Sequence, residues 1–221
     1  MVRGDINAAL PNFKKAMDLF DPSLSFPWEL TPGGYLPYAT KGWWMVCLQI
    51  GGFMDQARAL AENHLTYADG EFKDSTSLYH VYTFPALYGL FARDWDFVTG
   101  VLETYLPMAR SFGDPIFTLT ADVYDQIARS FKNEIGAFEQ AVQLVQVCFD
   151  IGFKAFAVTM SAFIAEGYLL NDQPESALSW IRKIEEHVSS TGTHIQSAEL
   201  HRLRARAFLA QGKPDSEKDL K

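Results

Sequence analysis

The sequence predicts an all-α fold in which helical hairpins stack as a solenoid, and three observations predict it. The stretch 172–190, DQPESALSWIRKIEEHVSS, carries Ala177, Leu178, Ile181 and Ile184 at three- and four-residue spacing. That gives a helix one apolar stripe, which it must bury against a partner. The partner precedes it: FAVTMSAFIAEGYLL, Phe156 to Leu170, with only Asn171-Asp172-Gln173 between them. The third observation is recurrence. Aligning each turn with the helix that follows puts Ala57, Val98, Ala137, Ala177 and Glu217 in register, at intervals of 41, 39, 40 and 40 residues. A near-constant period of about 20–50 residues is the mark of a repeat array.

Taken in order, the chain opens with Gly4–Ala9 as the start of a second helix of a repeat, continuing through Phe13, Ala16, Met17 and Leu19. Gly212-Lys213-Pro214-Asp215 opens another second helix that stops at Lys221. Residues 1–221 therefore read as a single helical-repeat domain that begins and ends in mid-repeat, as a fragment of a longer protein does. Residues 20–37, FDPSLSFPWELTPGGYLP, form a Pro/Gly-rich loop, since four prolines and Gly33-Gly34 block a helix. Trp28 and Tyr35 are expected to tuck this loop against the first helices, with a lid or ligand contact as the alternative.

The expected pairs are Tyr38–Ile50 with Met54–Ala68, Ser77–Phe91 with Trp95–Ser111, and Pro115–Phe131 with Ile135–Ile151. The pair ending near Ser190 follows, and last Ile195–Gln211. Asp74 and Ser75, Asp94, and Asp114 followed by Pro115 are N-cap or N1 signals. Gly51-Gly52, Gly113, Gly152 and Gly212 fall where helices should end. Pro85 and Pro107 interrupt helical patterns, so each predicts a kink or an early stop.

Composition narrows the function. At 48% hydrophobic and 21% charged the chain is a folding sequence rather than a disordered one. A net charge of −8 and a pI near 5.1 argue against direct nucleic-acid contact, which needs a basic face. Cys47 and Cys148 lie far apart in apolar helical stretches with no C-x-x-C, which predicts buried free thiols in a reducing cytoplasm. MVRGDINAAL has no apolar signal core, and no run reaches the length of a membrane span.

Several stretches carry a family resemblance: DINAALPNFKKAMDLFDPSLS, MVCLQIGGFMDQARALAENHLTYA, DQIARSFKNEIGAFEQAVQLV, ALSWIRKIEE and SAELHRLRARAFLAQGK. In this order they resemble the tetratricopeptide-repeat regions of large bacterial signalling ATPases, the adenylate/guanylate cyclase-like and maltose-regulon-activator-like proteins. The resemblance covers almost the whole chain and implies a tetratricopeptide-like α-α superhelix, a helical-hairpin solenoid. It also implies a sensor or partner-binding arm, with the chemistry in another part of such a protein. Asp125-Gln126-Ile127-Ala128 and Ala205-Arg206 depart from the family pattern, and no G-x-x-x-x-G-K-[ST] loop is present.

Catalysis is not expected. His64, His80, His187, His194 and His201 are scattered without H-x-x-x-H or H-E-x-x-H spacing, and no G-x-S-x-G elbow occurs. Glu185-Glu186 reads as a solvated pair. No cofactor and no metal are expected. Counting back from the register to first-helix positions on the concave face gives Val46 and Gln49; His80, Thr83 and Leu87; Asp122, Gln126 and Arg129; Thr159 and Glu166; Glu199, Arg202 and Arg206. That mixture suits a peptide, another domain of the parent chain or a small polar effector. The plain alternative is that these groups are solvated, or that Arg202 and Arg206 pair with Glu166 and Glu199 across adjacent repeats. The expected function is a non-catalytic interaction region, with small-molecule effector sensing as the alternative.

Overall fold

A computed structural model describes residues 5–19, 36–69, 75–191, 194 and 196–212. The loop over 20–37 with Trp28 and Tyr35, the cap at Asp74, the register position Glu217 and the opening after Gly212 lie outside the described residues, apart from the start of a helix at Leu36. Among those described there are ten α-helices and no strand. The described residues from Asp5 to Ala128 form one compact unit, and those from Arg129 onward belong to a second.

The first unit holds α1 (Ile6–Asp18), α2 (Leu36–Ile50), α3 (Met54–Leu65), a 3-10 turn (Thr66–Asp69), α4 (Ser75–Ala92), α5 (Trp95–Phe112) and most of α6 (Pro115–Phe131). Helix α2 packs on α1, α3 and α4, and α4 packs on α3 and α5. The second unit holds α7 (Ala137–Asp150), α8 (Lys154–Leu170), α9 (Pro174–Thr191) and α10 (Ser197–Ala210). There α8 packs on α7, α9 and α10. In each unit a first helix therefore touches both its own hairpin partner and the next first helix, the nearest-neighbour pattern of stacked hairpins.

The turns show why the period is so regular. Gly52, Arg93, Asn133 and Asp172 all take a left-handed φ, of 85°, 58°, 61° and 53°. The amide of the next residue then donates to the carbonyl five residues back: Phe53 to Leu48 at 2.9 Å, Asp94 to Gly89 at 3.0 Å, Glu134 to Arg129 at 3.0 Å and Gln173 to Tyr168 at 2.9 Å. This closes the otherwise unpaired carbonyls of a helix end. Gly113, Gly152 and Gly212 end α5, α7 and α10 at similar φ. The N-caps act as expected where they are described, with Asp94 accepting from the Phe97 amide and Asp114 from those of Ile116 and Phe117.

Burial follows the register. Ala57, Val98, Ala137 and Ala177 are all buried near the starts of α3, α5, α7 and α9. Small residues face them or their neighbours: a Cβ on Gly167 would stand 2.2 Å from the Phe138 ring, and one on Gly89 2.6 Å from Val98 Cγ2. Helix α9 buries Ala177, Ile181, Ile184 and Val188, and each large aliphatic there contributes about 1.5–3 kcal/mol. Cys47 and Cys148 are free and buried, and burial pushes their thiols up to about 11 and about 12. No helix among the described residues is long and apolar enough to cross a membrane.

Several boundaries and two helix interiors differ from expectation. Helix α4 runs unbroken through Pro85, and α5 through Pro107. Pro85 is buried in a helix packed on α2, α3 and α5, so tertiary contacts outweigh the missing amide. Helix α7 starts at Ala137 rather than Ile135, because Gly136 turns left-handed at φ 80° and leaves Ile135 fully exposed. Helix α3 tightens into a 3-10 turn at Thr66, whose hydroxyl donates to the Asn63 carbonyl at 2.7 Å.

Candidate functional site

In the second unit, the sequence candidates converge on the α8–α10 pair. Glu199, Arg202 and Arg206 sit at three- and four-residue spacing and so share one face of α10. Arg202 reaches Glu199 through Nη2 at 2.6 Å and Nε at 2.7 Å, a two-pronged pair. Its Nη2 also lies 3.4 Å from Glu166 Oε1 on α8, and Arg206 Nη1 lies 3.3 Å from the same oxygen. The hydrogen bonds it donates to Glu199 hold the Arg202 guanidinium protonated more firmly than usual, against the opposing effect of burial; the charges of Glu199 and Glu166 add to it. Glu166 is only 12% exposed, whereas Arg206 is 41% exposed. The carboxylate is therefore held inside, and the guanidinium face is open to a partner.

Thr159 donates through its hydroxyl to the Ala155 carbonyl at 2.9 Å, and its own carbonyl accepts from Gln196 Nε2 at 3.5 Å. Gln196, buried just before α10, lies inside the expected Ile195–Gln211 helix but off the counted concave row. Arg129 pairs with Glu134 at 2.7 Å across the turn into α7.

In the first unit the candidates divide. Val46, Gln49, Thr83 and Leu87 are buried between helices rather than set on an open face. Gln49 Nε2 donates to the Tyr88 carbonyl at 3.0 Å, tying α2 to α4. The Thr83 hydroxyl meets the Tyr105 hydroxyl at 2.8 Å, tying α4 to α5, and burial raises the Tyr105 phenol well above its ordinary range. His80 is half-buried and stacks on Phe84 at 5.8 Å between ring centres. Asp122 pairs with Arg110 at 2.9 Å, and Gln126 Nε2 donates to Asp125 at 3.0 Å. The counted register thus selected side chains that tie a first helix to its neighbours, to the next first helix through Gln49 and to α5 through Thr83 and Asp122.

Two features of this unit had no sequence signal. His64 is buried among the rings of Tyr38, Tyr67 and Phe84, with centroids 6.1, 5.8 and 6.5 Å away and all three edge-on. Neither ring nitrogen makes a hydrogen bond of normal geometry. Burial pushes its pKa down to about 4; the His80 backbone acts the other way, and the charges of Lys41 and His80 lower it further. The second feature is a cleft of about 390 Å³ where α3 and its 3-10 turn meet α4 and α5, lined by Leu65, Tyr82, Asp96, Phe97, Gly100 and Thr104 among others.

No family model, curated protein or solved structure matches the chain. Among the described residues, no group of three or more His, Cys, Asp or Glu side chains is placed to hold a metal ion.

Proposed function

We propose that this chain is a non-catalytic interaction region whose hairpins form a tetratricopeptide-like superhelix. It binds an acidic partner segment along its first helices, as part of a larger signalling or transcription-regulating ATPase. The observation that carries the reading is the recurring left-handed turn at Gly52, Arg93, Asn133 and Asp172, which makes each hairpin a copy of one unit. Such units hold first-helix side chains at regular spacing, and on α10 this sets Glu199, Arg202 and Arg206 along one open face. The exposed guanidinium groups of Arg202 and Arg206 favour carboxylates in that partner.

The test is a selection of peptides from a random display library on the purified chain, followed by fluorescence anisotropy on those recovered. Acidic peptides are expected, and Arg202→Glu with Arg206→Glu should weaken them about tenfold or more. An empty selection, or equal affinity for the reversed variant, would overturn the reading.

A further inference from the structure

We propose that the cleft bounded by Tyr82, Asp96, Phe97, Gly100 and Thr104 is a binding site for a small aromatic amine. It is independent of the partner-binding reading, since none of its lining residues belongs to the first-helix candidates.

Size comes first. A cleft of about 390 Å³ lies at the lower end of the range for small-ligand sites, enough for one aromatic ring and a short aminoalkyl arm. Its chemistry is the usual mixture for such a site, with Leu65 and two aromatic rings supplying apolar walls and Asp96 and Thr104 supplying polar groups. Tyr82 stacks on Tyr105 with rings 6.0 Å apart and 9° from parallel, so one wall is held in place before any ligand arrives.

Gly100 is the second observation. It lies inside α5, where glycine is unfavourable relative to alanine. The glycines at 42, 89 and 167 each stand against a neighbouring side chain that leaves no room for a Cβ, but a Cβ on Gly100 would meet nothing within 4 Å. Helix packing accounts for those three and not for this one. What the missing side chain leaves is the open floor of the cleft.

Charge selects the occupant. Asp96 is the one charged residue in the lining, and it is acidic. Arg58 lies over the Phe97 ring at 5.2 Å, so that ring already receives a cation. The charge on Arg58 is met by Glu62 at 2.8 Å and Asp94 at 2.6 Å, which reduces its opposition to a second cation. An ammonium beside the Asp96 carboxylate, with its ring against Tyr82 and Phe97, matches the acidic and aromatic parts of the wall.

The experiment titrates phenethylamine and 2-phenylethanol into the purified chain at pH 7, read by ligand-observed and amide NMR. The two probes differ only in ammonium against hydroxyl. Saturable binding of phenethylamine, about tenfold or more tighter than the alcohol, is expected, with amide shifts along α5. Gly100→Leu, checked for native circular dichroism, should abolish binding by filling the floor. Asp96→Asn should bring the two probes to similar affinity. Absence of saturable phenethylamine binding, equal binding of both probes by the native chain, or undiminished binding by folded Gly100→Leu would each overturn the proposal.

Discussion

A Cβ placed on Gly89 would stand 2.6 Å from Val98 Cγ2 and 3.4 Å from the Val98 amide nitrogen. Helices α4 and α5 thus meet where a hydrogen takes the place of a side chain, at the same residue whose carbonyl closes the turn between them. Gly89→Ala is expected to cost about 1–3 kcal/mol, because the buried, β-branched Val98 side chain must shift to admit a methyl group. Gly100→Ala, on the same hairpin, meets nothing and should gain up to about 1 kcal/mol from helix propensity. Urea midpoints of the two variants should move in opposite directions.

The Thr83–Tyr105 hydroxyl pair makes a second prediction. Tyr105→Phe leaves a buried threonine hydroxyl without its partner and should cost about 1–3 kcal/mol. Adding Thr83→Val removes the stranded group, so the double variant should recover part of that loss. Strict additivity of the two single changes in a denaturation cycle would show that the pair contributes nothing jointly.

The box around His64 makes the fold sensitive to pH. The folded chain holds this imidazole neutral down to about 4, while the unfolded chain protonates it near 6.5. Protons therefore favour the unfolded state within that window, and stability rises with pH from about 4 to about 6.5 before levelling. The difference corresponds to about 3 kcal/mol. Replacing the ring with phenylalanine in His64→Phe should remove this component, visible as a flatter profile of unfolding free energy against pH than that of the native chain.

The Arg206–Glu166 contact is long, at 3.3 Å, and the arginine is well exposed. Its coupling in a double-mutant cycle should be below about 1 kcal/mol and should shrink further in strong salt. A value of several kcal/mol would mark the pair as a structural clamp instead of an accessible recognition surface.

Helix boundaries were legible because they are set by local chemistry. Asp94 and Asp114 cap the helices that follow them, and Gly52, Gly113 and Gly152 supply the left-handed stops, each within two residues of the boundary it sets. The start of α7 escaped because an exposed Ile135 reads as helical until Gly136 is known to turn. Side-chain facing was less legible. Gln49 and Thr83 lie on the expected helices but meet Tyr88 and Tyr105, partners 39 and 22 residues away. Their depth depends on how closely two helices approach, which a glycine such as Gly42 permits but does not announce. The cleft needs Leu65, Tyr82 and Gly100 from three helices at once, and no spacing along the chain encodes that convergence.

Within each unit the recorded helix pairings join helices only one or two places apart along the chain. A nascent chain leaving the ribosome therefore has each helix's docking surface already synthesised, so structure can accrue hairpin by hairpin during translation. Low contact order of this kind also implies rapid refolding.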